Sequence, residues 1–109
     1  MCIRDSSNYD ADQLAQALRE SAASGCARME ATQPNYNLVV RDIEEALLPL
    51  CAEHQIGVVS YSPLARGILT GKYSHGQPYP EGSRAARDDA RMKQAEIRPA
   101  SFELSLIHI

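Results

Sequence analysis

Residues 56–73 read IGVVSYSPLARGILTGKY and contain the clearest predicted strand of the chain. The first six of these residues form a compact apolar run rich in β-branched side chains, which predicts a buried strand over 56–61. Pro63 ends the strand, because proline cannot donate to a sheet ladder. Glycines and prolines are then concentrated in residues 62–85, so we expect a long loop directly after the carboxyl end of this strand.

An amphipathic helix is predicted immediately upstream, over residues 42–55. Residues 42–45 read DIEE, which has the form of a capping box, and apolar positions recur after it at helical spacing. Pro49 interrupts the pattern, so it should kink the helix or confine regular structure to the later residues. His54 falls at the predicted carboxyl end, where a partly charged imidazole is favourable, and we assign it no catalytic role.

A second helix is predicted over residues 11–23. Residues 10–13 read DADQ, another capping box, and leucines and alanines follow at helical spacing. Gly25 is the expected carboxyl-terminal stop of this helix, because glycine adopts the left-handed conformation that ends many helices.

The fold class follows from the alternation of these elements. Residues 27–33 (ARMEATQ) form a short predicted strand that Pro34 ends. Strands that alternate with helices indicate parallel α/β units, so 27–33 and 56–61 should pair in parallel, with helix 42–55 as a right-handed crossover. A further, polar helix is predicted over residues 86–98. A (β/α)8 barrel takes typically about 250 residues, so 109 residues supply only part of one.

Composition excludes several functional classes. The net charge is −3, which offers no basic surface for nucleic acid, and no apolar run approaches the roughly 18 residues that span a membrane. The three cysteines (Cys2, Cys26 and Cys51) form no ligand-spaced cluster, which favours a reducing cytoplasm over a disulfide scaffold. Cys26 and Cys51 are interpreted as packing residues, and no metal site is predicted.

The two ends of the chain are predicted to be foreign to the protein. Residues 1–5 (MCIRD) and the start of a serine codon can be back-translated to ATG TGT ATA AGA GAC AG. The reverse complement of that word reads LSLIH, which is residues 104–108, and begins an isoleucine codon. The inverted pair resembles a transposon end used to prepare sequencing libraries, and the alternative is a natural start and a natural apolar tail. We therefore expect residues 7–103 to be the native part, and both hexapeptides to pack on nothing consistently.

Four separated blocks resemble the aldo-keto reductase family. They read SNY at 7–9, QPNYN at 33–37, YSPLARGILTGKY at 61–73 and PEGSR at 80–84, in matching order and spacing. The resemblance covers nearly all of residues 7–87 and is strongest to bacterial reductases that also resemble potassium-channel β subunits.

This resemblance implies a (β/α)8 barrel that binds a nicotinamide dinucleotide without a glycine-rich Rossmann fingerprint. The chain would run from about the end of strand five to the loop after strand seven. The family's catalytic aspartate, tyrosine, lysine and histidine come from earlier strands, so no residue of this chain is assigned a catalytic role. The implied cofactor is NADP, with NAD left open because the family's contacts to the 2′-phosphate lie mostly after strand eight.

The resemblance also assigns the nicotinamide end of the cofactor. Ser7, Asn8 and Gln33 would hydrogen-bond the nicotinamide carboxamide, which needs both a donor and an acceptor. Tyr61 would stack on the nicotinamide ring. From the residues alone, Ser7 and Asn8 could instead form a loop that leads into a helix, and Tyr61 could be a core tyrosine with a satisfied hydroxyl.

The loop after residue 61 is implied to wrap the pyrophosphate of the cofactor, since backbone N–H groups, a hydroxyl and cations suit phosphate oxygens. Gly67 would permit close backbone approach. Arg84 would add a second cation, with a solvated charge as its alternative. The residues assigned to this loop are Ser62, Pro63, Leu64, Arg66, Gly67 and Lys72.

Three functions fit these residues. The first is part of a reductase that moves hydride between NADPH and a small carbonyl substrate. The chain by itself is expected to be inactive in that reaction. The second is a cofactor-binding regulatory protein of the same fold, similar to the channel β subunits. The third is an unrelated (β/α)8 or doubly wound enzyme that shares only the layout. Neither the substrate nor the oligomeric state follows from the sequence.

Overall fold

The computed structural model describes residues 5–87, 92 and 96–106, with the backbone only for Leu106. Contacts divide the chain into two units. The first comprises Met1–Tyr36 and Arg41–Tyr61, and the second comprises Asn37–Val40 and Ser62–Ile109.

Helix α1 of the first unit spans Ala11–Ser24, which confirms the predicted helix to within one residue. The capping box is complete: the Gln13 N–H donates to Asp10 Oδ1 at 2.8 Å, and the Asp10 N–H donates to Gln13 Oε1 at 3.0 Å. Gly25 ends the helix with φ 68°, the left-handed conformation that glycine adopts without steric cost.

The strands of the first unit form a parallel sheet in the order β1 (Asp5–Ser7), β2 (Ala31–Gln33) and β3 (Gly57–Val58). The predicted parallel pairing is therefore confirmed, but both predicted strands are longer than the observed ones. A strand extends only as far as its partners pair with it, and β1 contributes three residues to the ladder. Pairing resumes beyond Pro34 as a single parallel bridge between Asn35 and Tyr61.

The prediction that residues 56–61 are a buried strand is wrong for most of that run. Ile56 is buried, but Val58 is 37% exposed and Val59 is 55% exposed. The physical reason is the position of β3 at the edge of the three-stranded sheet, where its side chains lack cover. A strand that is apolar on both faces is typical of a parallel sheet covered on both sides.

Residues 42–55 do not form one continuous helix. A 3₁₀ turn spans Asp42–Glu44, and helix α2 spans Leu47–Glu53. The predicted capping box is not formed, since neither segment has a side-chain cap. The start of α2 places Pro49 in the first turn, where a missing N–H costs nothing because that group has no helical partner.

The core of the first unit joins these elements. It consists of Leu14 from α1, Leu47 and Cys51 from α2, and Ile56 before β3. Burial of Cys51 confirms its interpretation as a packing residue and raises the pKa of its thiol. Cys26 is exposed, so the same interpretation is wrong for that residue, which follows α1 in the connection to β2.

In the second unit, a 3₁₀ segment over Ala65–Thr70 and helix α3 over Pro99–Leu106 pack together. Their core contains Ile68, Leu69, Tyr73 and Phe102. The predicted loop over 62–85 therefore contains helical turns. Of the predicted helix over 86–98, the described residues 86, 87, 92 and 96–98 are not α-helical, and the remainder lies outside the described residues.

The prediction that the terminal hexapeptides pack on nothing is wrong where they are described. Ser6 is 4% exposed in β1, in register with Thr32 of β2. Leu104 packs against the core of the second unit, and Ser105 is 2% exposed. Phe102 of the same helix, α3, is buried, and Ser105 lies one turn after it on the same side of the helix, so it is buried too.

Candidate cofactor-binding site

Four of the predicted site residues meet at the carboxyl ends of the parallel strands in the first unit. Ser7 ends β1 and Gln33 ends β2, and the two residues are paired in register. The N–H of Asn8 donates to the carbonyl of Gln33 at 3.2 Å. In parallel α/β folds this end of the sheet is where ligands bind.

Tyr61 joins this group through its hydroxyl, which donates to Asn8 Oδ1 at 2.7 Å. The Tyr61 backbone N–H donates to the carbonyl of Pro34 at 3.0 Å, which fixes the tyrosine beside the end of β2. Its side chain is only half-buried, so it is not the core tyrosine of the alternative interpretation, although its hydroxyl is satisfied.

Asn8 has a left-handed backbone, with φ 58°. Asparagine tolerates this conformation better than most residues, because its short polar side chain bonds locally. Its side-chain oxygen accepts from Tyr61, so the amide is oriented with its N–H donors available to an acceptor on a ligand. Exposed Gln33 adds a second amide, with a donor and an acceptor, within the same strand-end group.

The predicted phosphate loop lies in the second unit and has an unusual backbone. Ser62, Ala65 and Arg66 have φ values of 55°, 46° and 56°, and Gly67 has φ 103°. Left-handed residues can turn successive N–H groups toward an anion, but here the N–H groups of Ala65 and Gly67 donate to the carbonyls of Ser62 and Leu64 within the loop, both at 2.9 Å. Such conformations persist only where surrounding contacts hold them.

Asn37 is one of those contacts, and sequence reasoning missed its role. The side chain is buried, and its Nδ2 donates to the carbonyl of Ser62 at 3.0 Å. Its Oδ1 accepts from the N–H groups of Val39 and Val40 at 2.9 and 3.0 Å. Asn37 thus holds the start of the loop. The available signal was its position at the end of the QPNYN block, in turn-forming sequence.

Arg66 is held by a carboxylate that the sequence did not reveal. Its Nη1 lies 2.6 Å from both oxygens of Glu96, and the two side chains are 10% and 2% exposed. A buried carboxylate requires such a pairing. A guanidinium has five N–H donors, so Nε and Nη2 of Arg66 remain to bind a phosphate oxygen.

Lys72 passes directly over Gly67. A Cβ at residue 67 would lie 2.6 Å from Lys72 Cε and 2.9 Å from its Nζ, so a side chain there would displace the end of this lysine. The same ammonium lies 5.0 Å from the centroid of the Tyr73 ring, within the range of a cation–π contact.

The other predicted loop residues are exposed. Pro63 and Leu64 stand at the surface, with Leu64 56% exposed, and Arg84 is also exposed. The exposure of Arg84 is consistent with either of its interpretations, a phosphate ligand or a solvated charge. The backbone around Leu64 is ordered by its carbonyl, which accepts from the N–H groups of Gly67 and Leu69.

A separate polar network lies close in sequence to these groups. The Tyr36 hydroxyl donates to Glu44 Oε1 at 2.8 Å, and Arg41 donates to the two oxygens of Glu44 at 2.8 and 2.9 Å. The Arg41 guanidinium, followed by the Tyr36 hydroxyl, lowers the pKa of the Glu44 carboxyl. The same carboxylate raises the pKa of Tyr36.

The described residues contain no group of three or more histidine, cysteine, aspartate or glutamate side chains that could hold a metal ion. No described helix has the length and apolar character needed to cross a bilayer.

The first unit is a parallel α/β arrangement in which polar side chains lie together at the carboxyl ends of the strands. A model of the aldo/keto reductase family matches residues 6–105. This chain therefore belongs to the aldo/keto reductase family, and the (β/α)8 barrel expected from the sequence is confirmed as its fold class.

Individual relatives extend the comparison. The chain is 33% identical to a probable voltage-gated potassium channel subunit beta of Arabidopsis thaliana, over 92% of this chain and 34% of that protein. It is 39% identical to L-glyceraldehyde 3-phosphate reductase of Escherichia coli, over 56% of this chain and 17% of that protein. The chain thus spans about a third of the length of the plant relative.

Among solved structures, the chain is similar to a glycerol dehydrogenase from Gluconobacter oxydans. The TM-score is 0.60 at 30% identity, and the match covers 92% of this chain and 27% of that one.

Proposed function

We propose that this chain carries part of the nicotinamide-dinucleotide site of an NADP-dependent aldo-keto reductase that acts on a small aldehyde or ketone. The observation that carries the proposal is the convergence of Ser7, Asn8, Gln33 and Tyr61 at the carboxyl ends of parallel strands. A cytoplasmic location is part of the same proposal, because the cysteine usage fits a reducing compartment.

The strand-end group fits the nicotinamide part of the cofactor. A carboxamide presents one acceptor and two donors, and Asn8 and Gln33 offer the complementary groups. The hydrogen bond from Tyr61 orients the Asn8 amide before the ligand arrives. The half-buried ring of Tyr61 then supplies a flat surface for the nicotinamide ring and excludes water from one side of it.

The loop of the second unit fits a diphosphate. The carbonyls of Ser62 and Leu64 already accept from the N–H groups of Ala65 and Gly67, so the proposal relies on side-chain cations of the loop. Arg66 is anchored by Glu96 with Nε and Nη2 still available, and Lys72 is exposed. Charged donors of this kind make stronger hydrogen bonds to phosphate oxygens than neutral ones. Arg84 is proposed as an additional cation.

The cofactor, when bound, supplies the hydride chemistry. The residues of this chain bind and orient it, and none of the site residues named here is placed as a general acid or base. We therefore propose that the 109-residue chain, incubated with NADPH and an aldehyde, shows no loss of NADPH absorbance and binds NADPH weakly at best. Micromolar binding together with turnover would contradict this.

Substitution of Tyr61 in the full-length reductase tests the site assignment. Tyr61→Ala should weaken NADPH binding by about 1 kcal/mol or more, because the stacking surface is lost. Tyr61→Phe retains the ring and removes only the hydrogen bond to Asn8, so it should weaken binding less. Fluorescence titration with NADPH and with NADH measures both variants and the cofactor preference. Unchanged affinity in Tyr61→Ala would refute the assignment.

A second function is favoured by one observation, the 33% identity to a probable channel β subunit over 92% of this chain. In this alternative the parent protein binds the cofactor and regulates a partner. Both alternatives use the same strand-end residues. Steady-state turnover of an aldehyde by the full-length protein supports the reductase, whereas tight NADPH binding without turnover supports the regulatory protein.

A further inference from the structure

A groove of about 650 Å³ lies on the helical side of the first unit, between α1 and α2. Leu18 and Leu50 form part of its apolar lining, and the connection that enters β2 at its amino end closes the groove with Cys26 and Arg28. The proposed cofactor residues of this unit lie at the opposite, carboxyl ends of the strands. A volume of several hundred Å³ is typical of sites for small organic ligands.

Two arginines, Arg19 and Arg28, line this groove beside the neutral polar side chain of Ser21. The Arg28 guanidinium donates to the carbonyls of His54 and Met29, which orients the side chain without neutralising it. Arg19 is an exposed residue of α1 that also lines the groove. Among the residues that the structure describes, neither arginine has a carboxylate within ion-pair distance.

We propose that this groove binds an amphipathic monoanion, with a carboxylate held by Arg19 and Arg28 and a hydrocarbon chain along Leu18 and Leu50. Two arginines that have no acidic partner among the described residues favour an anion, since guanidinium groups match the planar geometry of a carboxylate. Apolar side chains beside them favour a ligand with an apolar body rather than a small inorganic ion. The proposal is independent of the cofactor site.

The exposed Cys26 thiol provides a direct probe of occupancy. Alkylation of the 109-residue chain by N-ethylmaleimide is followed by peptide mass spectrometry, which separates Cys26 from Cys51 and Cys2. Cys51 is 2% exposed and serves as the internal reference for the folded chain. Decanoate, below its micelle-forming concentration, should slow alkylation of Cys26 severalfold relative to Cys51.

Decanol and acetate, which each lack one half of the proposed ligand, separate its two features. Both should protect Cys26 much less than decanoate. Equal protection by decanol would overturn the role of the arginines, and equal protection by acetate would overturn the role of the apolar lining. No protection by decanoate would overturn the whole proposal.

Two matched pairs of variants locate the binding. Ala22→Glu places a negative charge in the lining and should abolish protection. Ala23→Glu adds the same charge to an exposed neighbour outside the lining and should leave protection intact.

Arg19→Gln should weaken decanoate binding about tenfold, as expected for a lost charged hydrogen bond. Arg87→Gln removes an exposed arginine of the second unit and should have no effect. Equal behaviour within either pair would place the ligand elsewhere.

Discussion

At the scale of single residues, Glu44 shows how a paired carboxylate holds a segment that lacks a conventional cap. The bidentate bond from Arg41 and the bond from the Tyr36 hydroxyl fasten the 3₁₀ turn over Asp42–Glu44 to the chain that precedes it. The predicted capping box would have bonded the acidic side chains of residues 42–45 to backbone N–H groups within the same turn. The structure instead uses Glu44 for contacts with residues three and eight positions upstream.

The pH dependence of stability tests this network. The pKa of Glu44 is lower in the folded chain, so its contribution to stability is present above the unfolded pKa of about 4.3. That contribution is lost as the pH falls through the folded pKa. Glu44→Gln should therefore lower the urea midpoint at neutral pH, and the difference from the parent should shrink toward acidic pH.

Glu45→Gln is the matched control for this measurement. Glu45 is the exposed neighbour of Glu44, and its substitution should leave the urea midpoint unchanged across the pH range. A difference between Glu44→Gln and the parent that stays constant with pH would contradict the role assigned to the Glu44 carboxylate.

At the scale of elements, the loop from Ser62 to Lys72 owes its shape to residues with positive φ rather than to a regular pattern of backbone hydrogen bonds. The 3₁₀ segment over Ala65–Thr70 is interrupted at Arg66 and Gly67, where φ is positive. Asn37 holds the loop at its start, Glu96 holds Arg66, and the Thr70 hydroxyl donates to the carbonyl of Gly67 at 2.7 Å. These bonds offset the cost of the left-handed residues.

Gly67→Ala tests whether this backbone requires glycine. We expect a loss of about 1–3 kcal/mol in the free energy of unfolding, because φ 103° is strained for any side chain and Lys72 must move. Gly76→Ala is the control, since φ there is 75° and no atom lies within 4 Å of the new Cβ. Urea unfolding of both variants gives the comparison, and an equal loss in the two would show that close packing against Lys72 is unimportant.

At the scale of the whole molecule, β3 leaves an apolar strand at the edge of the sheet. Val58 ends β3 and Val59 follows it directly, and the two side chains are 37% and 55% exposed. In the described part of the chain, the outer edge of β3 has no paired strand. Such an edge offers N–H and carbonyl groups to another chain, so it promotes association.

Val59→Lys should therefore reduce self-association of the 109-residue chain, as measured by light scattering during size-exclusion chromatography over a range of concentrations. The Val59 N–H still donates to the carbonyl of Thr32, so pairing with β2 is retained. Leu38→Lys is the matched control, because Leu38 is 46% exposed but lies outside the sheet. Equal effects of the two substitutions would show that general surface hydrophobicity, rather than the strand edge, drives association.

Local signals in the sequence were enough to predict helix α1 and the class of the fold. The capping box of α1 joins Asp10 and Gln13, and its stop is set by the conformational freedom of Gly25. These features depend on atoms only a few residues apart, so sequence spacing determines them. The parallel pairing of the strands also followed from the order of elements, and the strand-end position of Ser7, Asn8, Gln33 and Tyr61 followed from it.

Only the tertiary structure determined which polar groups pair and which apolar groups are covered. Arg66 and Glu96 are 30 residues apart, and Asn37 and Ser62 are 25 apart, so no local pattern links them. The exposure of Val58 and Val59 likewise depends on neighbouring strands rather than on their own sequence. Burial and long-range hydrogen bonds are properties of packing, because the free energy of desolvating a group depends on what the rest of the chain places beside it.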